Sequence, residues 1–127
     1  MPDLKGKLVG VDFDSTIAHY SGYKGVGVFG RPIENVKWAM EQLKNLGVII
    51  VINTCRKETT AVRAYLKINK IPFDYVNFSP ENKKQNLSER KLYVDINVDD
   101  KNVEFKGIWV DTLPRILSFK SWEKHNG

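Results

Sequence analysis

Asp12 and Asp14 stand one residue apart at the end of the apolar run Leu8-Val9-Gly10-Val11, and Ser15-Thr16 follows at once. An apolar run that stops at acidic residues marks a buried strand delivering side chains to the edge of a sheet. With a side-chain period of two, Asp12 and Asp14 point to one side and Phe13 to the other. Two carboxylates a few ångströms apart repel each other, and neither is desolvated cheaply. A divalent cation between them removes the conflict, so the pair reads as a site first and a strand end second.

The chemistry available to such a pair is phosphoryl transfer. An aspartate carboxylate is a competent nucleophile toward phosphorus and forms an aspartyl phosphate. It needs a cation to screen it from the incoming phosphate, and Mg²⁺ prefers a few carboxylate or carbonyl oxygens plus water and substrate. Asp12 as nucleophile, Asp14 as general acid and base, and Asp99 as a further metal ligand supply these parts. The Thr54 hydroxyl can hold a phosphate oxygen, and a lysine would neutralise the charge that spreads over the equatorial oxygens.

The elements that must position these residues follow from pattern. Residues 7–14 read as a first strand and 15–31, with Gly22, Gly25, Gly27 and Gly30, as a mobile loop or small hairpin. Ile33, Val36, Met40, Leu43 and Leu46 recur at helical steps, predicting a helix over 33–46 that opens near Pro32 and closes at Gly47. The continuous run Val48–Ile52 reads as a second strand, buried on both faces and ending at Asn53-Thr54. A helix over 58–69, a short strand over 73–78, a polar or weakly helical stretch over 79–90 and a strand over 92–98 come next. A short fifth strand near Ile108–Val110 and a closing helix over 112–122 complete the reading. Strand and helix alternate, which predicts a single α/β domain with an open, mostly parallel, Rossmann-like sheet and helices on both faces. In such sheets ligands bind beyond the carboxyl ends of the strands, and Asp12/Asp14, Thr54 and Asp99/Asp100 converge there.

Composition bounds the partners. The 127 residues, 42% of them hydrophobic, suffice for one ordinary core. No stretch approaches the length of a membrane span, and Met1-Pro2-Asp3-Leu4 begins no signal peptide, so no membrane partner is expected. The single cysteine, Cys55, forms no internal disulfide and agrees with a cytoplasmic location. A net charge of +5 favours anionic partners: a phosphorylated small molecule, or a nucleotide or nucleic-acid phosphate end.

Asp12-Phe13-Asp14-Ser15-Thr16 resembles the DxDxT signature of the haloacid dehalogenase-like (HAD) hydrolase superfamily, placed after a first apolar strand as in that family. Thr54 is similar to its second motif, and Lys91–Asp100 resembles its third and fourth motifs run together. The stretch from Arg56 to Asn77, with Tyr65-Leu66 and Ile71-Pro72-Phe73, also resembles small bacterial and phage members. The likeness spans roughly residues 7–111, and its motifs are specific only in combination. It implies a Mg²⁺-dependent phosphatase in which Asp12 attacks, and Asp14 protonates the leaving oxygen and then activates water. It implies a metal held by the Asp12 carboxylate, the Asp14 carbonyl and Asp99 with support from Asp100, and a phosphate held by Thr54 and Lys91; Thr16 and Arg56, beside these motifs, are read as further substrate contacts. Leu92 stands where relatives often carry proline, so Lys83 or Lys84 is the alternative phosphate lysine. Asp95 with Asp99 is the alternative metal pair, disfavoured because a strand running to Val98 buries Asp95. Only about 16 residues separate Thr16 from Ile33, enough for a flap and too few for a large cap domain.

Other motifs are weaker. Gly25-Val26-Gly27-Val28-Phe29-Gly30 spells GxGxxG, but a dinucleotide fold needs it directly after the first strand, with an acid closing the next one. These glycines instead let the flap bend. Cys55 next to Arg56 lacks the spacing of a cysteine phosphatase and reads as a small buried residue beside the site. Arg56 either contacts substrate or begins the helix. Tyr20, Tyr23 and Phe29 either stack on a base or fold the hairpin. His19 and His125 have no partner at metal-ligand spacing.

Overall fold

Leu8–Asp12 (β1) alternates Val9 and Val11 with other residues, and stiff, β-branched residues fill all but the last position of Ile49–Asn53 (β2); these are the two strands at the centre of the sheet. The structure, a computed structural model, describes residues 3–80, 94–98, 103 and 107–118. β1 and β2 run parallel, with Leu8 opposite Ile49 and Asp12 opposite Asn53. Tyr75–Val76 (β3) pairs with the outer edge of β2. Ile96–Val98 (β4) pairs with the other edge of β1, Val9 facing Ile96 and Val11 facing Val98. The four strands are all parallel in the order β3-β2-β1-β4. The chain therefore steps outward from β1 through β2 to β3, then returns to the far side of β1. The switch in direction lies between β1 and β4, where open α/β sheets form their crevice.

Among the described residues, three helices pack on this sheet. Val36–Asn45 (α1) buries Val36, Ala39, Met40 and Leu43. Thr59–Ile68 (α2) buries Val62 and Leu66. Trp109–Leu117 (α3) buries Trp109, Thr112, Leu113 and Ile116. The apolar members of these sets form one cluster with Val9, Val11, Ile50, Ile52, Val76, Ile96 and Val98, which the register places on a single sheet face. Leu8 and Val51 are buried on the opposite face, so the sheet is covered on both sides, as a parallel sheet requires. On that second face Gly10 leaves room for two amides. A Cβ there would meet Asn97 Oδ1 and lie 2.8 Å from Asn53 Nδ2, and Asn53 Nδ2 donates to Asn97 Oδ1 at 3.3 Å.

Carboxylates pin the amino ends of the strands. Asp74 Oδ2 accepts from the Ile50 amide and from Lys44 Nζ, each at 2.7 Å. Asp95 Oδ2 accepts from the Leu8 amide at 2.7 Å, and the Asp95 amide donates to the Leu8 carbonyl at 2.8 Å. Asp95 thus sits at the start of the sheet, about 13 Å of strand away from Asp12. It takes no part in a rim site.

The α/β class and the parallel sheet are as the sequence pattern predicts, and the described residues include no large cap. The first helix begins at Val36, because Ile33 serves the hairpin instead: its amide donates to the Ile17 carbonyl at 2.8 Å. The expected fifth strand near Ile108–Val110 is a correction. Ile108 is the extended residue before α3, and Trp109 and Val110 are already helical. The cause is Trp109, which is fully buried with its indole N–H donating to the Thr16 carbonyl at 2.9 Å. Helical phasing from Trp109 also places Asp111 in the first turn, at the positive end of the helix dipole.

Candidate functional site

The chain turns tightly as it leaves β1. The Phe13 carbonyl accepts from the amides of Thr16, Ile17 and Ala18 at 3.3, 2.8 and 3.1 Å, and Ser15 takes a left-handed φ of 66°. The strand therefore ends at Asp12, and strict alternation does not carry through to Asp14. Beyond the turn, Ala18 pairs antiparallel with Pro32, and the His19 amide donates to the Arg31 carbonyl at 2.9 Å. This is the base of a small hairpin flap. Phe29 folds its tip inward, edge-on to Phe13 at 5.3 Å and to Tyr65 at 5.2 Å. The Tyr65 hydroxyl donates to the Gly30 carbonyl at 2.8 Å, and burial pushes its phenol up to about 12. Gly25 and Gly27 take positive φ, and a Cβ on Gly30 would strike the His19 carbonyl. The glycines thus serve the flap and not a dinucleotide loop.

Arg56 ties the pieces together. Its side chain is 5% exposed. Nε donates to both oxygens of Asp14 at 3.2 and 3.0 Å, and Nη2 donates to Asp14 Oδ1 at 3.0 Å. Nη1 donates to Glu58 Oε1 at 3.2 Å. The guanidinium also lies near the rings of Phe29, Tyr23 and Tyr20, at 4.7, 5.3 and 5.8 Å from their centroids. Hydrogen bonding to Asp14 holds Arg56 above its ordinary pKa, with burial opposing and Glu58 reinforcing. Arg56 is a tether between the β1 turn, the flap and the start of α2.

Thr54 continues directly from β2. Its hydroxyl accepts from the Arg56 amide at 3.0 Å, which leaves its own hydrogen to donate elsewhere. Asn77, in a left-handed conformation with φ 52°, clamps the Thr54 backbone from β3: its Oδ1 accepts from the Thr54 amide and its Nδ2 donates to the Thr54 carbonyl, both at 2.8 Å.

A cavity of about 450 Å³ opens beside this tether, lined by Asp14, Tyr20, Tyr23, Val26, Cys55, Arg56, Lys57 and Glu58. Cys55 is exposed on its wall and not buried as its size suggests. Asp12 is exposed at the strand end, paired in register with Asn53. Thr16 is 5% exposed and lines no part of the cavity; its carbonyl holds α3. Lys91, Asp99 and Asp100, and the alternative Lys83 and Lys84, lie outside the described residues. Among the described residues no three carboxylate, histidine or cysteine groups gather to hold a metal. Oxygen donors at the ends of β1 and β2 include the Asp12 carboxylate and Asn53 Oδ1, the latter buried with no hydrogen-bond partner among the described residues.

Sequence pattern brings Asp12, Asp14, Thr54 and Arg56 to one edge. It misses Glu58 and Asn77. Glu58 shows only as an acid near a helix start, and Asn77 only as a residue type that tolerates the left-handed region.

No family model matches the chain, and no curated protein matches it. Among solved structures, it is similar to a conserved protein from Bacteroides thetaiotaomicron at 21% identity, with a TM-score of 0.71 over 89% of this chain and 91% of that one. At that identity the likeness speaks for the fold alone.

Proposed function

We propose that this chain is a HAD-like, Mg²⁺-dependent phosphohydrolase that cleaves a phosphate monoester through an aspartyl phosphate on Asp12. The observation that carries the reading is the exposed Asp12 carboxylate at the switch point of a parallel sheet, with Thr54 closing the neighbouring strand and Asp14 fixed on the following turn.

Asp12 attacks phosphorus, the bond to the leaving oxygen breaks, and that oxygen takes a proton from the Asp14 carboxyl. Asp14, now a carboxylate, takes a proton from the water that attacks the phosphoryl group. Phosphate leaves and the Asp12 carboxylate is restored. Arg56 orients Asp14 throughout. A protonated Asp14 keeps one oxygen to accept from the Arg56 fork and turns the other into a donor. The Thr54 hydroxyl, its lone pair engaged by the Arg56 amide, donates to a phosphate oxygen.

Mg²⁺, when bound, would screen the approach of nucleophile and phosphate and neutralise developing charge. The donor set suits it: the Asp12 carboxylate and Asn53 Oδ1, the latter without a hydrogen-bond partner among the described residues, are hard oxygens on paired residues. Val98 ends β4 beside Val11, and Asp99 and Asp100, the residues that follow in sequence, are the remaining ligands of this reading. Lys91 supplies the phosphate lysine, and a lone thiol fits work in a reducing cytoplasm.

A second reading, a catalytically silent phosphate-binding module, draws on one observation: both Asp14 oxygens are engaged by Arg56. Turnover separates the two. With Mg²⁺ the chain should hydrolyse members of a phosphate monoester panel, and a chelator should abolish the activity. Folded protein that binds phosphate esters with Mg²⁺ and turns none over would establish the module instead.

A further inference from the structure

We propose that the cavity beside Arg56 is a leaving-group pocket that takes a planar aromatic ring, such as the base of a nucleoside monophosphate. The proposal rests on the hydrolase reading in one respect: Asp14 must reach the leaving oxygen, so the group attached to that oxygen lies in the cavity that Asp14 lines.

The character of the walls selects the ring. Tyr20, Tyr23 and Val26 are 44%, 57% and 72% exposed and stand together on the flap over the cavity. Phe29 completes the aromatic group but is consumed by packing, edge-on to Phe13 and Tyr65. Tyr20 and Tyr23 therefore offer apolar ring surface to solvent at the mouth, where a stacked ring would cover it. The cation in the floor is already satisfied, with Arg56 bonded to Asp14 and Glu58 and flanked by three rings. A second phosphate finds no free guanidinium there, and a cationic ligand finds its aromatic cage filled by Arg56. Four charged residues line the cavity, two acidic (Asp14, Glu58) and two basic (Arg56, Lys57), so the lining is neutral overall. An uncharged planar group suits such a wall. About 450 Å³ falls within the range of small-molecule sites and exceeds the need of a phosphate alone.

Cys55 provides a readout that does not depend on catalysis, since this single thiol is exposed on the cavity wall. Its alkylation by iodoacetamide is followed in the full chain with Mg²⁺ and adenosine 5′-monophosphate, adenosine, glycerol 3-phosphate or inorganic phosphate. Adenosine and its monophosphate should slow alkylation about tenfold at ten times their Kd, by simple occupancy, while the two ring-free compounds should not. Tyr20→Ala with Tyr23→Ala should weaken that protection roughly five- to a hundredfold in Kd, the worth of lost stacking, and Tyr20→Phe with Tyr23→Phe should retain it. Both tyrosines are exposed, and a circular dichroism spectrum checks that the variants fold. Equal protection by glycerol 3-phosphate, or protection indifferent to loss of both rings, overturns the pocket. Ring-dependent protection without turnover of any ester upholds the pocket and overturns the hydrolase.

Discussion

Arg56 and Asp14 are 42 residues apart in sequence, and their contact organises the site. Removing the guanidinium strands Asp14 and Glu58 beside each other without their counter-charge. Arg56→Gln should cost about 2–3 kcal/mol in urea unfolding, at or below the foot of the range for breaking a fully buried pair, because Asp14 keeps partial access to water. Arg56→Lys should recover only part of this, since an ammonium cannot grip both oxygens of Asp14 and also reach Glu58. Full stability in either variant would show that the tether is dispensable. Asp12, Asp14 and Thr54 are legible in the sequence because each ends an apolar run. The clamp on Asp14 is not, because one arginine before a helix looks the same whether it caps, binds substrate or crosses to another strand.

At the scale of elements, the flap and the central strand each carry a consequence. Tyr65 of α2 holds the flap through the Gly30 carbonyl, and its phenol moves from 10.0 to about 12 on folding. Below pH 10 the phenol is protonated in both states and its contribution is whole. Between pH 10 and 12 the unfolded phenol ionises while the folded one keeps its proton, so that contribution drains away. Stability measured by denaturant should fall over this window, and Tyr65→Phe should fall less; equal slopes would contradict the linkage. Gly10→Ala should destabilise by about 1–3 kcal/mol through its clash with Asn53 and Asn97, read as a lower Tm; an unchanged Tm would show that the amide pair moves aside freely. The central strands and first two helices follow from periodicity within a few residues. The start of α3 does not, because Ile108 and Val110 are exposed around a buried Trp109, a strand-like alternation that the bond from Trp109 to Thr16 overrides.

At the scale of the whole molecule, the strand order β3-β2-β1-β4 makes β1 the hinge of the topology and so puts Asp12 at the crevice. Alternation of strands and helices predicts a parallel α/β sheet, but the reversal beside β1 depends on which strands pair, which local pattern does not encode. Among the described residues no helix is long and apolar enough to cross a membrane. The cavity, too, is a product of the assembled fold, since the flap, the β1 turn and the segment before α2 each supply part of its wall. The proposed covalent chemistry at Asp12 depends on all three levels. Acid quenching during turnover of a phosphate monoester with Mg²⁺, followed by peptide mass spectrometry, reads it directly. The account predicts a phosphoryl group on Asp12, and in Asp12→Asn the loss of both that adduct and about 10⁴-fold or more of the rate. Turnover with no phosphorylated Asp12, or an Asp12→Asn variant that hydrolyses the ester undiminished, would contradict it.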